Sequence, residues 1–302
     1  MAAAVFDAAS EAIMITDPRP RIQAVNPAFT AVTGYTAAEV IGQDPRMLGS
    51  GRQDEAFYQE LLSTLSQAGA WQGEVWNRRK DGAFYAVRLS LAAVRGENGP
   101  ASHFVGIFHD ITLRKEDEAR AWNRANYDAL TGLPNRALLL DRLEQTLSRA
   151  DRGKDGLAVV FLDLDGFKAV NDSLGHARGD LLLQQVARRL QTCVRAADTV
   201  ARLAGDEFVA ILDQLREPAD AIKVARKMLA AMAEPFDLDG DSASVSASIG
   251  IAFYPADGDD PLDLLERADV AMYRVKHAGR NGFCFYSEST PQDEIDYDAT
   301  VV

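Results

Sequence analysis

The chain has 302 residues, 47% of them hydrophobic and 25% charged, with 22 Gly, 11 Pro and a formal net charge of −13. That length suits two domains of ordinary size, and the composition excludes a disordered or fibrous chain. The negative charge disfavours sequence-independent binding to nucleic acid or to an anionic membrane, both of which need a positive field, so an anionic substrate must be held by a few placed cations.

No apolar run approaches the roughly 18–20 residues that cross a bilayer. The N-terminus "MAAAVFDAASEAIMITD" carries acids where a secretion signal carries Lys or Arg, so a cytoplasmic protein is expected. Cys193 and Cys284 are too few for a disulfide framework and lack metal-type spacing; buried free thiols are the expectation.

In the first part of the chain, short alternating runs are separated by turn signals. "AIMITD" (12–17) and "RIQAVN" (21–26) flank "PRP" as a hairpin would, and "PAFTAVTGYTAAEVIGQ" and "DEAFYQELLSTLSQAG" have helical spacing. "WQGEVWNRR" and "AFYAVRLSLAAV" then flank "KDG", and "ASHFVGIFHDIT" closes the unit. The pattern predicts an antiparallel sheet with helices on one side. From Asp110 to Asn126 the chain is charged, rich in helix formers and free of Gly and Pro, which predicts a connecting helix. Its apolar positions, chiefly Leu113, Ala119, Trp122 and Ala125, suit a solvated connector and a short dimeric coiled coil equally.

Beyond the turn "LTGLPNR", helix and strand patterns alternate. They run helix "ALLLDRLEQTLSRA", strand "LAVVFLDLD", helix "DLLLQQVARRLQTCVR", hairpin "TVARLAGDEFVAIL", helix "PADAIKVARKMLAAMA", strand "SVSASIGIAFY" and helix "PLDLLERADVAMYRVKHAG", with Gly279 near its C-cap. The class is α+β overall, this part being a sheet with packed helices. The acidic end "SESTPQDEIDYDATVV" lacks apolar periodicity, and disorder is expected there.

"VVFLDLDGFKAVND" puts Asp163 and Asp165 near the end of a strand apolar on both faces, hence central. A charge there must be paired, hydrated or bound to a cation. Asp206 and Glu207 occupy the tip of the later hairpin. If the two strands are neighbours, Asp163 and Asp206 converge, with the Leu164 carbonyl as a further oxygen; oxygen-only donors suit Mg²⁺ on a nucleotide phosphate. Each acid taken singly also suits a solvated turn. Lys168, Lys276 and Arg280 recur where a phosphate site needs cations, although the last two also suit helix-dipole partners.

These segments resemble the GGDEF domain, the diguanylate cyclase module, whose fold is related to the palm of adenylyl cyclases and polymerases. The likeness spans 127–287: "DALTGLPNR", "FLDLDGFKAVNDSLGHARGD", "RLAGDEF", "SIGIA" and "ADVAMYRVKHAGRN", in order. The resemblance implies that Asp163, the Leu164 carbonyl and Asp206 bind Mg²⁺ or Mn²⁺, with Glu207 as a further ligand or as the group that helps deprotonate the attacking hydroxyl. It implies that Asn171 and Asp180 read guanine, that Lys168, Lys276 and Arg280 hold the β- and γ-phosphates, and that the Phe167 backbone shapes the pocket. The implied reaction joins two GTP into cyclic di-GMP with loss of pyrophosphate. One domain carries one half-site, so the active species is expected to be a homodimer.

One position departs from the family pattern: Ala204 stands before Gly205 where the family has a Gly pair. An added methyl is tolerable at φ < 0 and obstructive at φ > 0 or where ligand touches Cα. A catalytically silent module that binds cyclic di-GMP or GTP is therefore the alternative. "RAAD", Arg195 to Asp198, ends five residues before "AGDEF". This is the spacing of the family's product-inhibition motif, and it implies a guanine and phosphate grip by Arg195 and Asp198, with Arg226 as a further arginine. An ordinary surface ion pair is the plainer reading of the same residues.

Residues 1–112 resemble a PAS sensor domain through "NPAFTAVTGYTAAEVIGQ", "WNRRKDGAFYAVRLSLAAV" and "FVGIFHDIT", followed by a signalling helix at 113–126. Haem is disfavoured because the only histidines here, His103 and His109, lie late and on a strand. A photochemical flavin adduct needs a Cys, and none precedes Cys193. Non-covalent flavin (FAD) remains open, since "GAWQGEVWNRRKDG" is similar to the flavin-binding PAS of nitrogen-fixation redox regulators, with Trp71 to pack on a ring and Asn77 to bond its edge. Both tryptophans in core positions, with Asn77 as a strand-end cap, is the simpler alternative.

Overall fold

The computed structural model describes residues 1–95, 100–153 and 156–287; the acidic end expected to be disordered (288–302) lies outside them. The chain divides into two compact units, Met1–Ala121 and Trp122–Val302.

In the first unit α1 (Ala2–Ala8), not foreseen in the sequence, precedes β1 (Ala12–Thr16) and β2 (Ile22–Val25). The predicted hairpin pairs Met14 with Val25. The first predicted helix is broken into α2 (Pro27–Thr33) and α3 (Ala37–Val40) by Gly34 at φ 77. Asn26 caps α2, and Thr36 with Glu39 forms a capping box on α3 that satisfies otherwise orphan amides. After α4 (Glu55–Ala68) come β3 (Ala70–Arg78), β4 (Phe84–Arg95) and β5 (Ala101–Asp110), giving the antiparallel sheet order β2-β1-β5-β4-β3. Alternate strand residues Ala12, Met14, Val75, Val87, Leu89 and Phe108 turn to one face and form a single core with Phe29 and Val40. Helix α5 (Thr112–Asn126) follows and buries none of its residues, with Leu113 and Trp122 exposed.

The second unit is built on α6 (Arg136–Gly153), β6 (Gly156–Asp165), α7 (Phe167–Leu174), α8 (His176–Cys193), β7 (Thr199–Ala204) and β8 (Glu207–Leu215). It continues through α9 (Pro218–Ala233), β9 (Phe236–Leu238), β10 (Asp241–Ala243), β11 (Ser246–Tyr254), α10 (Pro261–Ala278) and β12 (Gly282–Phe285). The main sheet runs β12-β11-β6-β8-β7, antiparallel except where β12 lies parallel to β11. β6 is central, as its apolar run predicts. Ala158, Val160, Leu162 and Leu164 join the core beneath α8 and α9, while Leu157, Val159 and Phe161 join the core beneath α6 and α10. Asp163 and Asp165 continue the second set, so strand alternation alone turns both carboxylates towards the α10 side.

Two local features fix the helices against this sheet. A Cβ on Gly250 of β11 would overlap the Ala268 carbonyl oxygen and the Met272 amide, so α10 lies with its backbone directly against the strand. Arg189 of α8 donates to the carbonyls of Ala231 and Pro235 at 2.7 Å and of Glu234 at 2.6 Å, with its guanidinium 3.6 Å above the Phe236 ring, and so caps the end of α9.

Candidate nucleotide and metal site

Register assembles the acidic edge. Asp163 pairs across the ladder with Glu207 of β8 on one side and Ser248 of β11 on the other; on the same face Asp165 pairs with Ser246. The turn between β7 and β8 is Gly205-Asp206, with Gly205 at φ 52. The Asp206 carbonyl accepts from the Leu164 amide at 3.4 Å, so the hairpin tip leans onto the end of β6. Positions 163, 164, 206 and 207 therefore share one edge, as the sequence motifs predict.

Arg202 braces this tip. Its Nε and Nη2 donate to the Gly205 carbonyl at 2.9 and 2.8 Å, and its Nη1 reaches Asp128 Oδ1 at 2.9 Å. Asp128 belongs to "DALTGLPNR" and also accepts from the Thr131 amide and hydroxyl. Burial pushes the Asp128 carboxyl up, but the Thr131 and Arg202 bonds more than offset this and hold it below the ordinary range. Two distant motifs thus form one support, an arrangement that sequence reading missed because its partners are 74 positions apart.

The edge is crowded with negative charge. Asp163 is only 7% exposed. Burial pushes its carboxyl above the ordinary range, Asp206 and Asp165 add to this, and Lys276 opposes it. Burial likewise raises Glu207, with Asp163, Asp269 and Asp206 contributing. Lys276 of α10 donates from Nζ to Asp163 Oδ2 at 2.8 Å. An ammonium therefore stands against the carboxylate where a metal ion's charge would be welcome, and the donors on this edge are all oxygen. Among the described residues no three such side chains close on one point, so the edge offers oxygen donors of the kind a hard divalent cation takes without forming a finished metal site.

Other expected residues surround this edge. Gly166 at φ 86 turns the chain from β6 into α7, whose first amides, those of Phe167 and Lys168, have no intrahelical acceptor. Lys168 is exposed and Phe167 packs on the core. The Asn171 carboxamide lies against Gly179 of α8, where a Cβ would overlap its Oδ1, so Asn171 is brought beside Asp180. Arg280 follows α10 at φ 66, with Nε 3.8 Å from Asp165 Oδ1. Ala204 closes β7 opposite Glu207; it is exposed and lies outside the left-handed region.

The Arg195 turn lies apart from this edge, after α8. Asp198 accepts from the Arg195 amide at 2.8 Å and the Asp213 amide at 3.1 Å. Its carboxylate bonds backbone rather than the Arg195 guanidinium, and the simple surface ion pair is not formed. Arg195 and Arg226 are both exposed, the latter on α9, which packs against α8.

In the first unit Trp71 lies over Gly73 and meets Phe57 edge-on, with centroids 5.8 Å apart. Trp76 instead lies under the Arg52 guanidinium at 4.4 Å. Asn77 is buried opposite Tyr85 in the ladder. Tyr85 is fully buried; its Oη lies close to Asn77 without reaching hydrogen-bond geometry, and burial pushes its phenol up to about 12. His103 and His109 are exposed on β5.

An antiparallel sensor-type sheet, followed by a helix-flanked sheet with carboxylates at its central strand end and adjoining hairpin tip, defines a protein of the PAS–GGDEF class. Residues 125–282 match the family described as diguanylate cyclase, GGDEF domain, and residues 10–113 match the PAS domain. The chain belongs to the GGDEF family and carries an N-terminal PAS domain.

It is 53% identical over 165 residues to the bifunctional diguanylate cyclase/cyclic di-GMP phosphodiesterase MucR of Pseudomonas aeruginosa, covering 55% of this chain and 24% of that protein. It is 37% identical over 236 residues to the diguanylate cyclase TpbB of the same organism, covering 66% of this chain and 54% of TpbB. It is 32% identical over 294 residues to the cyclic di-GMP phosphodiesterase PdeR of Escherichia coli, covering 97% of this chain and 44% of PdeR. The chain thus spans between about a quarter and a half of the length of these relatives. The solved structure of a truncated TpbB comprising only its GGDEF domain superposes with a TM-score of 0.52 at 44% identity, covering 53% of this chain and 94% of that one. The coiled coil and GGDEF domain of DgcB from Caulobacter crescentus, in complex with c-di-GMP, gives a TM-score of 0.52 at 25% identity, covering 58% and 93%.

Proposed function

We propose that the chain is a sensor-regulated diguanylate cyclase that condenses two GTP into cyclic di-GMP and two pyrophosphates. The observation that carries this reading is the pairing of Asp163 with Glu207 beside Asp206, with Lys276 on Asp163, in a GGDEF-family fold. Asp163, Asp206, Glu207 and the Leu164 carbonyl would hold Mg²⁺ or Mn²⁺. When bound, the ion lowers the pKa of the attacking 3′-hydroxyl and offsets charge on the α-phosphate. Glu207, opposite Asp163 in the ladder, would serve as a further ligand or as the group that accepts the hydroxyl's hydrogen. The amides opening α7, with Lys168, Lys276 and Arg280, hold the β- and γ-phosphates, and Asn171 beside Asp180 reads the guanine edge.

Each domain supplies one half-site, so two copies must face one another as a homodimer. Product inhibition through Arg195, Asp198 and Arg226 belongs to the same reading, as do domain limits of 1–112, 113–126 and 127–287 and a cytoplasmic location near the GTP pool. Among the described residues, no helix is long and apolar enough to cross a membrane. In the PAS domain, the Asn77–Tyr85 pair suits the polar edge of a flavin. Trp71 already rests on Gly73 and Phe57, and so fits the ring-stacking part less well. A visible spectrum of the purified protein tests this: flavin bands support the cofactor, and a colourless protein removes it.

The silent-module alternative rests on Ala204. Its backbone lies outside the left-handed region, which favours an active enzyme. Incubation with GTP and Mg²⁺ should yield pyrophosphate and cyclic di-GMP. Binding of GTP without any turnover would instead support the silent module.

A further inference from the structure

Asp165 ends β6 two residues after Asp163, is only 8% exposed, and shares the Asp163 face. Adjacency to the acidic edge suggests a metal ligand, but its oxygens are already engaged. Oδ1 accepts from the Ser248 hydroxyl at 2.8 Å; Oδ2 accepts from the Ser246 hydroxyl at 2.8 Å and from the Asn281 amide at 3.1 Å. The Arg280 guanidinium lies beyond hydrogen-bond reach but close enough to feel the charge.

What these bonds hold is unusual backbone. Arg280 and Asn281 are consecutive non-glycine residues at φ 66 and φ 48, directly after Gly279 at φ 124. Side-chain-bearing residues are strained there and persist in it only where the surroundings impose it. The Arg280 amide still donates to the Val275 carbonyl at 3.0 Å, so the turn is tied to α10 at one end and to Asp165 at the other. That turn is what aims Arg280, and it joins the last turn of α10, which carries Lys276.

We infer that Asp165 is a positioning residue: with Ser246 and Ser248 it locks the left-handed Arg280–Asn281 turn and so presents Arg280 to the triphosphate, without itself binding the metal. This rests on the nucleotide reading above. It adds a division of labour within the "DLD" motif, in which the first carboxylate faces the cation and the second sets the phosphate clamp.

The test compares Asp165→Asn, Arg280→Ala and the double variant in the full-length protein. Affinities for GTP and for GMP are measured by calorimetry, with Ca²⁺ replacing Mg²⁺ to suppress turnover, and amide hydrogen exchange is followed across 279–283. Asp165→Asn should weaken GTP binding by about tenfold, the worth of one charge-assisted contact, and leave GMP binding unchanged. The double variant should be no weaker than Arg280→Ala alone, since both remove the same contact. Asn281 exchange should accelerate in Asp165→Asn and not in Arg280→Ala. Ser246→Ala, which deletes a single hydroxyl, should show a smaller loss of the same kind if Asp165→Asn folds poorly.

Unchanged GTP affinity in Asp165→Asn, additive losses in the double variant, or an increased metal requirement matching that of Asp163→Asn would each overturn the assignment. Failure of the wild-type protein to bind GTP would remove the nucleotide reading and, with it, the clamp's role. Wild-type GTP binding combined with unchanged Asn281 exchange in Asp165→Asn would remove the lock alone.

Discussion

Replacing Ala204 by Gly restores the residue pair usual in the family and asks what its methyl does. The methyl is exposed at the end of β7, on backbone that an L-residue adopts freely, so it relieves no strain when removed. The substitution gives the unfolded chain more freedom and should cost about 0.5–1 kcal/mol. For a unit of this size that is a fall of about 1–4 °C in Tm. Turnover should change by less than about threefold, under 1 kcal/mol on the barrier. Thermal unfolding and pyrophosphate release at saturating GTP and Mg²⁺ measure the two quantities. A rise in turnover of about tenfold or more, some 1.4 kcal/mol, would refute the reasoning, because it would mean that the methyl meets the nucleotide at Cα.

Other substitutions probe the supports around the edge. Arg202→Ala removes two bonds to the Gly205 carbonyl and the pair with Asp128; it should destabilise the unit by about 2–3 kcal/mol, seen in urea unfolding, and lower turnover at unchanged nucleotide-independent dimer content. Glu207→Gln should raise the Tm of the metal-free protein at pH 7, because the folded state favours the neutral carboxyl, while cutting cyclic di-GMP formation about a hundredfold or more. Arg189→Ala, which uncaps three carbonyls at the end of α9, should cost about 2 kcal/mol or more with GTP KM unchanged. Asp128, held low in the fold, contributes stability that is complete above its unfolded value near ~3.9 and is lost as pH falls through the folded value. Acid titration of Asp128→Asn should therefore show a shallower loss of stability below about pH 4 than the wild type does.

Much of the site was legible because strand alternation is strict. An apolar run ending in "DLD" dictates a central strand with two same-face carboxylates, and the Gly205 turn dictates a hairpin tip; β6 and β8 fulfil both. Short elements were not legible. β9, β10 and β12 have three, three and four residues, too few for a period to register, and β12 is a strand only because the crossover of α10 lays it parallel to β11. α7 was hidden in a motif read for its chemistry, and α8 begins at His176, ahead of the predicted 180, because Gly175 ends α7 and opens the next helix. The work of Asp165 was invisible because its partners lie 81, 83 and 116 positions away. The signal available was its period-two spacing from Asp163, which fixes the face but not the company it keeps there.

Gly250 has no side chain, yet it sets a length in this protein. With nothing between strand and helix, the height of α10 above the sheet is the thickness of two main chains, and Lys276 reaches Asp163 from that height. Even an alanine would act as a shim, lifting the helix and drawing Lys276 away from Asp163. Tolerance at this edge is therefore governed from the middle of β11, two residues along from the partner of Asp163, by an atom that is missing.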